Sequence, residues 1–255
     1  FKKWWPANYH LIGKDILTTH AVYWPTMLMS AGLPLPKSIF AHGWWLSDES
    51  KMSKSVGNVI NPLDLIKEYG VDPVRYYLMR EMVLGQDANF TLDSFIKRYN
   101  SDLANDFGNL LNRISTLIHK NYGGIIPHSR ELTLDEKNIK AAAVKLVSEM
   151  DGKIMNMKIN EALEDIMQFI RRINKYMEEQ APWKMVKENK DAAGRILYTA
   201  GESLRISASL LSPVMPNRTS ILFEALNAEE STEWGGLKSG NKIRDHQPLF
   251  PRIQT

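Results

Sequence analysis

Two apolar stripes restrict this chain to a fold with long, packed helices. Phe95, Tyr99, Leu103, Phe107, Leu110, Ile114 and Leu117 step by three or four. That spacing puts them on one face of a helix running from Thr91 to about Tyr122, stopped by Gly123-Gly124. Ile159, Leu163, Ile166, Ile170, Ile173 and Met177 form a second stripe that ends before Pro182. Between them, Thr133-Leu134-Asp135-Glu136 reads as a capping box opening another helix. Further helices are expected over Asp191 to Leu211 and Pro216 to Leu226. A helix with one apolar face must bury it, and short links let neighbours bury theirs together. Residues 89–232 are therefore expected to form an antiparallel bundle. The tail, residues 233–255, has glycine and proline but no period. It is expected to run extended and to pack back through Leu249, Phe250 and Ile253.

The first third reads differently. Tyr9-His10-Leu11-Ile12 is a short apolar run, read as a buried strand ending at Gly13. Gly13-Lys14-Asp15 is a turn, and a helix follows from about Ile16 to Ser30, ended by Ala31-Gly32-Leu33-Pro34. Ser38 to Ala41 and Trp44 to Leu46 read as strands. Strand, turn, helix and strand make a βαβ unit. Asn61-Pro62 and Asp72-Pro73 each pair a cap with a proline at the first helical position. They open helices to Tyr69 and to about Val83. The polar run Gly85 to Asn89 is the expected boundary. The fold class is α/β followed by all-α, with domains at 1–88 and 89–232 and the tail at 233–255.

Composition narrows the function classes. The 255 residues suffice for two modest domains,. A net charge of +3 is compatible with RNA but does not argue for it alone,. The absence of cysteine excludes disulfides and any cysteine-based zinc site,. No apolar run is long enough to cross a bilayer. The start at Phe1 carries no signal-peptide pattern and no methionine, which reads as a truncated beginning,.

Chemistry concentrates in a few strings. Lys51-Met52-Ser53-Lys54-Ser55, followed by Val56-Gly57-Asn58, has neither helical nor strand periodicity and reads as an exposed loop,. Two ammonium groups on such a loop can neutralise charge developing on a departing polyphosphate. Asp15 sits where ligands bind in open α/β sheets, past the carboxyl end of a strand. It can accept from ribose hydroxyls, or simply cap its helix. The turn is not a P-loop, because Asn8 stands where that motif needs a glycine,. Ile16 and His20 share a helical face, although a lone histidine there is more often a surface residue. Tyr23, Trp24 and Met27 read as core. Asn105, Asn109 and Arg113 form a polar ridge with one cation, and most such ridges are simply a solvated face. Trp183, between Pro182 and Lys184, is either a stacking platform for an unpaired base or a plug at the bundle end.

These strings, taken together, resemble the methionyl-tRNA synthetases of bacterial or organellar type. The resemblance rests on Tyr9 to Ile16, His20, Trp24-Pro25, His42-Gly43, Lys51 to Ser55, Asp72 to Tyr77, Asn109, Arg113, Ala181-Pro182-Trp183 and Pro248 to Ile253. It spans the whole chain. It implies a partial Rossmann-like catalytic domain, followed by an anticodon-binding helix bundle. It further implies that methionine is activated with ATP and Mg2+ to methionyl-adenylate and transferred to tRNA(Met). Lys51 and Lys54 would be catalytic. Gly13, Asp15, Lys51, Ser53 and Lys54 would hold ATP. Ile16 and His20 would lie at the methionine pocket, and Asn109, Arg113 and Trp183 would read the anticodon. The family's His-x-Gly-His motif and its connective domain, with any zinc, are missing from these residues. The expectation is thus a carboxy-terminal part holding no metal, from a monomeric cytoplasmic or organellar parent. Such a part would expose a sheet through which it can self-associate. The alternative expectation is a module that binds tRNA and catalyses nothing.

Overall fold

The computed structural model describes residues 1–47, 50–52, 59–128 and 131–254, with only the backbone of residues 50 and 51. The chain divides into two compact units. The first comprises residues 1–61 and 81–92, and the second residues 62–80 and 93–255.

In the first unit, strand β1 (His10–Gly13) pairs in parallel with β2 (Ile39–His42), Leu11 opposite Phe40 and Gly13 opposite His42. Between them lie a tight helical turn at Lys14–Ile16, a π-wound turn at Thr19–Tyr23, and α1 (Trp24–Ser30). This is the expected βαβ unit, although its helix is wound three ways. A second sheet has the order β4-β3-β5. β3 (Trp45–Ser47) pairs antiparallel with β4 (Ser50–Lys51) and parallel with β5 (Ala88–Phe90). Strand β5 was not legible, because three residues after a polar turn show no period. Its partners decide it: the amide of Ala88 donates to the Trp44 carbonyl at 2.9 Å. The Asp87 carboxylate, just before β5, accepts from the Lys14 ammonium at 2.6 Å and from the Trp44 amide at 2.8 Å. Those two bonds, the lysine's first, hold it below the usual carboxylate range,. Leu11, Leu17, Val22 and Met29 of this unit are exposed.

The second unit is helical. It contains α2 (Pro62–Tyr69), α3 (Val71–Glu81) and a continuous helical run from 92 to 122. That run is α4 (Leu92–Arg98), a π-wound stretch at Tyr99–Gly108, and α5 (Asn109–Tyr122). The first stripe explains the winding. Phe95, Tyr99, Leu103 and Phe107 step by four. At 3.6 residues per turn, spacing of four drifts by about 40° per step. Wider winding keeps all four pointed inward, and each is at most 5% exposed. After Gly108 the α-helix resumes with Leu110, Ile114 and Ile118 buried, while Leu117 is only half-buried. Gly123 closes the run in the left-handed conformation, as expected,.

Helices α6 (Leu134–Met155), α7 (Ile159–Gln180), α8 (Pro182–Glu188), α9 (Lys190–Leu211) and α10 (Pro216–Leu226) complete the bundle. The capping box forms: the Thr133 amide donates to Glu136 at 2.6 Å, and the Thr133 hydroxyl bonds the same carboxylate. One cap was misread. Asp72 does not cap α3, which already starts at Val71. Its buried carboxylate accepts from the Arg218 amide at 2.6 Å and from the Asn217 amide group, and so caps α10,. Leu249 and Phe250 of the tail are buried and Ile253 is half-buried, its backbone paired both ways with the Asn100 side chain.

Candidate functional site

In the first unit, the carboxyl end of β1 carries a compact polar turn. Gly13 is half-buried there, and the Asp15 carboxylate lies over it. A Cβ on Gly13 would stand 2.5 Å from that carboxylate oxygen, so a larger residue there would turn the exposed Asp15 side chain aside. Asp15 and Ile16 are both exposed. His20 is half-buried one turn on, and its Nδ1 lies 3.0 Å from the Ile16 carbonyl.

The His20 ring meets His10 edge-on, with centroids 6.2 Å apart. His10 in turn accepts from the Trp24 indole N–H at 3.3 Å, and the Trp5 ring packs edge-on against Trp24. His10, His20, Tyr23, Trp24 and Met27 border an open groove of about 360 Å3. Tyr23 and Met27 were expected in the core, but they are 60% and 63% exposed and form the groove's wall. Tyr23 closes the π-wound turn and Met27 follows one turn later on α1. His10 was missed as a site residue because a histidine inside a strand carries no periodic signal. Ile16 does not border the groove among the described residues.

Of the lysine loop, Lys51 begins its stretch on β4, paired with Leu46, and its side chain lies outside the described residues. Ser53, Lys54 and Ser55 also lie outside them. No group of three or more metal-ligating side chains occurs among the described residues.

In the second unit, Asn109 is exposed at the start of α5, and Arg113 follows one turn later, half-buried. Helix α7 ends at Ala181 in the left-handed conformation, at φ +43°. Pro182 then opens α8, and the Ala181 carbonyl accepts from the amides of Lys184 and Met185. That bend throws the half-buried Trp183 toward α5. The Arg113 guanidinium lies over the Trp183 ring, 5.5 Å from its centroid, and forms an ion pair with Glu178 at 2.8 Å. Cation–π contact thus joins two residues 70 positions apart in the chain,. One face of Trp183 is covered by a cation, and the residue keeps intermediate exposure. Glu178 was not singled out from sequence, because it sits in an acidic run at a helix end and resembles a solvated residue.

Comparison with known families decides what carries these features. The model of class I tRNA synthetases (M) matches residues 1–115, and the model of the anticodon binding domain of methionyl tRNA ligase matches residues 126–247. The chain belongs to the methionyl-tRNA synthetase family. The chain is 44% identical to the methionine–tRNA ligase of Clostridium acetobutylicum, over 100% of its own length and 41% of that protein. It is 43% identical to that of Bacillus subtilis, across 40% of the relative. It therefore spans well under half the length of these curated relatives. Among solved structures it is similar to the Mycobacterium tuberculosis methionyl-tRNA synthetase. In the apo form the TM-score is 0.90 at 35% identity, covering 100% of this chain and 51% of the other. In the form bound by methionyl-adenylate the TM-score is 0.92 at 37% identity, covering 98% and 51%.

Proposed function

We propose that this chain serves a methionine–tRNA ligase, which activates methionine with ATP and Mg2+ and passes it to tRNA(Met). The observation that carries the reading is the Arg113–Trp183 stack on the helical unit. An aromatic ring beside a guanidinium fork and an exposed amide is the chemistry that reads an unpaired base. Trp183 offers a π-face, Arg113 a fork for a base edge or phosphate, and Asn109 a donor–acceptor pair.

The other unit takes the activation chemistry. Asp15, set over Gly13 past the end of β1, accepts from the ATP ribose. His20, at the aromatic groove, meets the methionine side chain, with Ile16 one turn before it. Lys51 and Lys54, with Ser53 between them, neutralise the pyrophosphate side of ATP as it leaves. A role in translation fits a cytoplasmic setting, or an organellar matrix.

The test is a full-length synthetase carrying this sequence. Trp183→Ala is expected to lower tRNA charging by roughly one to two orders of magnitude, since a stacked base is worth about 1–3 kcal/mol. Methionine-dependent ATP–pyrophosphate exchange should not change, because no tRNA takes part in it. Trp183→Phe should recover part of the loss. A Trp183→Ala enzyme that discriminates anticodon variants as well as its parent would refute the reading.

A further inference from the structure

One carboxylate in the first unit joins three stretches that lie far apart in the sequence. The two oxygens of Asp87 accept from the Lys14 ammonium at 2.6 and 2.7 Å, and one of them also accepts from the Trp44 amide at 2.8 Å. The same ammonium lies over the Trp44 ring, 4.2 Å from its centroid,. Lysine, carboxylate and indole thus close a triangle. Gly43 keeps it tight. A Cβ there would stand 2.0 Å from the Gln86 carbonyl oxygen and 2.6 Å from the Asp87 nitrogen, and these are backbone atoms that cannot swing aside,.

What the triangle holds is the turn at the end of β1. Lys14 opens the tight turn Lys14–Ile16, and Asp15 is the next residue. No side chain caps that turn at Gly13, and the Leu17 amide donates to the Lys14 carbonyl. One isolated helical turn has little hold on its own orientation. The Lys14 side chain supplies the missing anchor, because the carboxylate before β5 and the indole before β3 draw it to the same side. Successive residues on so tight a turn diverge by about 120°. Fixing Lys14 on one side therefore fixes the direction that Asp15 takes on another.

We propose that Asp87 is a positioning residue for ATP: through Lys14 it orients the Asp15 carboxylate toward the ribose hydroxyls. The proposal rests on the ribose role given to Asp15 above. Asp87 acts through its two neighbours rather than on the nucleotide. A hydrogen bond to a ribose hydroxyl is made alike in the ground state and the transition state, so its loss is read in the KM for ATP more than in kcat. The side chains of Lys14 and Asp87 are 37% and 33% exposed, so water screens the pair and the effect is moderate,.

The test is methionine-dependent pyrophosphate exchange by a full-length synthetase carrying this sequence, run with ATP and with 2′,3′-dideoxy-ATP. Asp87→Asn keeps an acceptor for the Trp44 amide and removes the charge that holds Lys14. It is expected to raise the ATP KM roughly three- to tenfold, with kcat and the methionine KM within about twofold of the parent. The dideoxy nucleotide has no hydroxyl for Asp15, so its KM should move by less than about twofold and the preference for ATP should shrink. Lys14→Met removes the same charge and should match Asp87→Asn, whereas Lys14→Arg should stay near the parent. Where Asp87→Asn fails to fold, Lys14→Met carries the same comparison. Asp15→Ala should abolish the preference for ATP, and adding Asp87→Asn to it should change nothing further. An ATP KM within about twofold of the parent in Asp87→Asn overturns the proposal. So does an equal rise for both nucleotides, which marks a general lesion. So does a loss in Lys14→Met that Asp87→Asn does not share, since the ammonium would then act on the nucleotide itself. If Asp15→Ala keeps the preference, the ribose role of Asp15 falls and the proposal with it. If Asp15→Ala abolishes the preference and Asp87→Asn keeps it whole, the proposal falls alone.

Discussion

Replacing Glu202 by glutamine should remove much of the stability of the helical unit. Glu202 and Arg205 sit one turn apart on α9, and both side chains are wholly buried. The two Glu202 oxygens accept from Arg205 Nη2 at 2.7 Å and Nε at 3.0 Å. They also accept from three backbone amides: Gly235 at 2.6 Å, Gly236 at 3.0 Å and Leu237 at 2.7 Å. Arg205 in turn donates to the carbonyls of Glu229, Ser231 and Glu233. The pair therefore satisfies six backbone groups of the segment that starts the tail. Glutamine keeps one acceptor oxygen and turns an NH2 group toward donors. It leaves the guanidinium buried without its counter-charge and at least two donors unpaired. Removing one member of a buried ion pair costs about 3–5 kcal/mol, against a typical total of about 5–15 kcal/mol for a domain. Urea unfolding of residues 1–255, followed by circular dichroism, reads the change. A loss under about 1 kcal/mol would refute the reasoning. An apolar double replacement, Glu202→Met with Arg205→Leu, should recover little. Buried ion pairs are often replaceable by apolar side chains, but here the six backbone groups would remain unpaired. Gly236→Ala should act in the same direction, because its Cβ would stand 2.4 Å from the Arg205 guanidinium carbon.

Three further outcomes are expected. Burial acts first to raise the Glu136 pKa, but hydrogen bonds from Thr133 and Tyr176, with the Arg195 charge, outweigh it and lower the pKa. Its stabilising contribution is therefore present above the unfolded value of about 4.3 and lost as pH falls through the folded one. Glu136→Gln should flatten the acid limb of a stability–pH curve below about pH 5, and an unchanged limb would contradict this. Ala181 pays for its left-handed conformation, so Ala181→Gly should raise the urea midpoint by the equivalent of about 0.5–1 kcal/mol; a fall would mean that the turn is not strained. In a full-length synthetase carrying this sequence, Lys54→Ala should cut the adenylation rate on the order of 10²–10³-fold. The methionine dissociation constant, measured by equilibrium dialysis, should stay the same; weakened methionine binding with an intact rate would overturn the assigned role.

The sequence by itself determined the elements whose signals are local. The stripes at Phe95 to Ile114 and Leu163 to Met177, the capping box at Thr133 and the stop at Gly123 each depend on residues within a turn or two of one another. Helical periodicity and capping are short-range physics, so these features could be read directly. The tertiary structure decided whatever depends on a distant partner. Asp72 looks like the cap of its own helix, yet it caps α10, because only packing brings the Arg218 amide within reach. Ala88 to Phe90 becomes a strand because β3 supplies its hydrogen bonds. Glu202 and Arg205, an ordinary i,i+3 pair in the sequence, become a buried latch because the tail folds over them. The same holds at the candidate RNA surface. Arg113 and Trp183 were each ambiguous alone. The bend at Ala181 brings the tryptophan under the guanidinium. That approach is not encoded within a turn or two of chain; it depends on which faces the helices bury against one another.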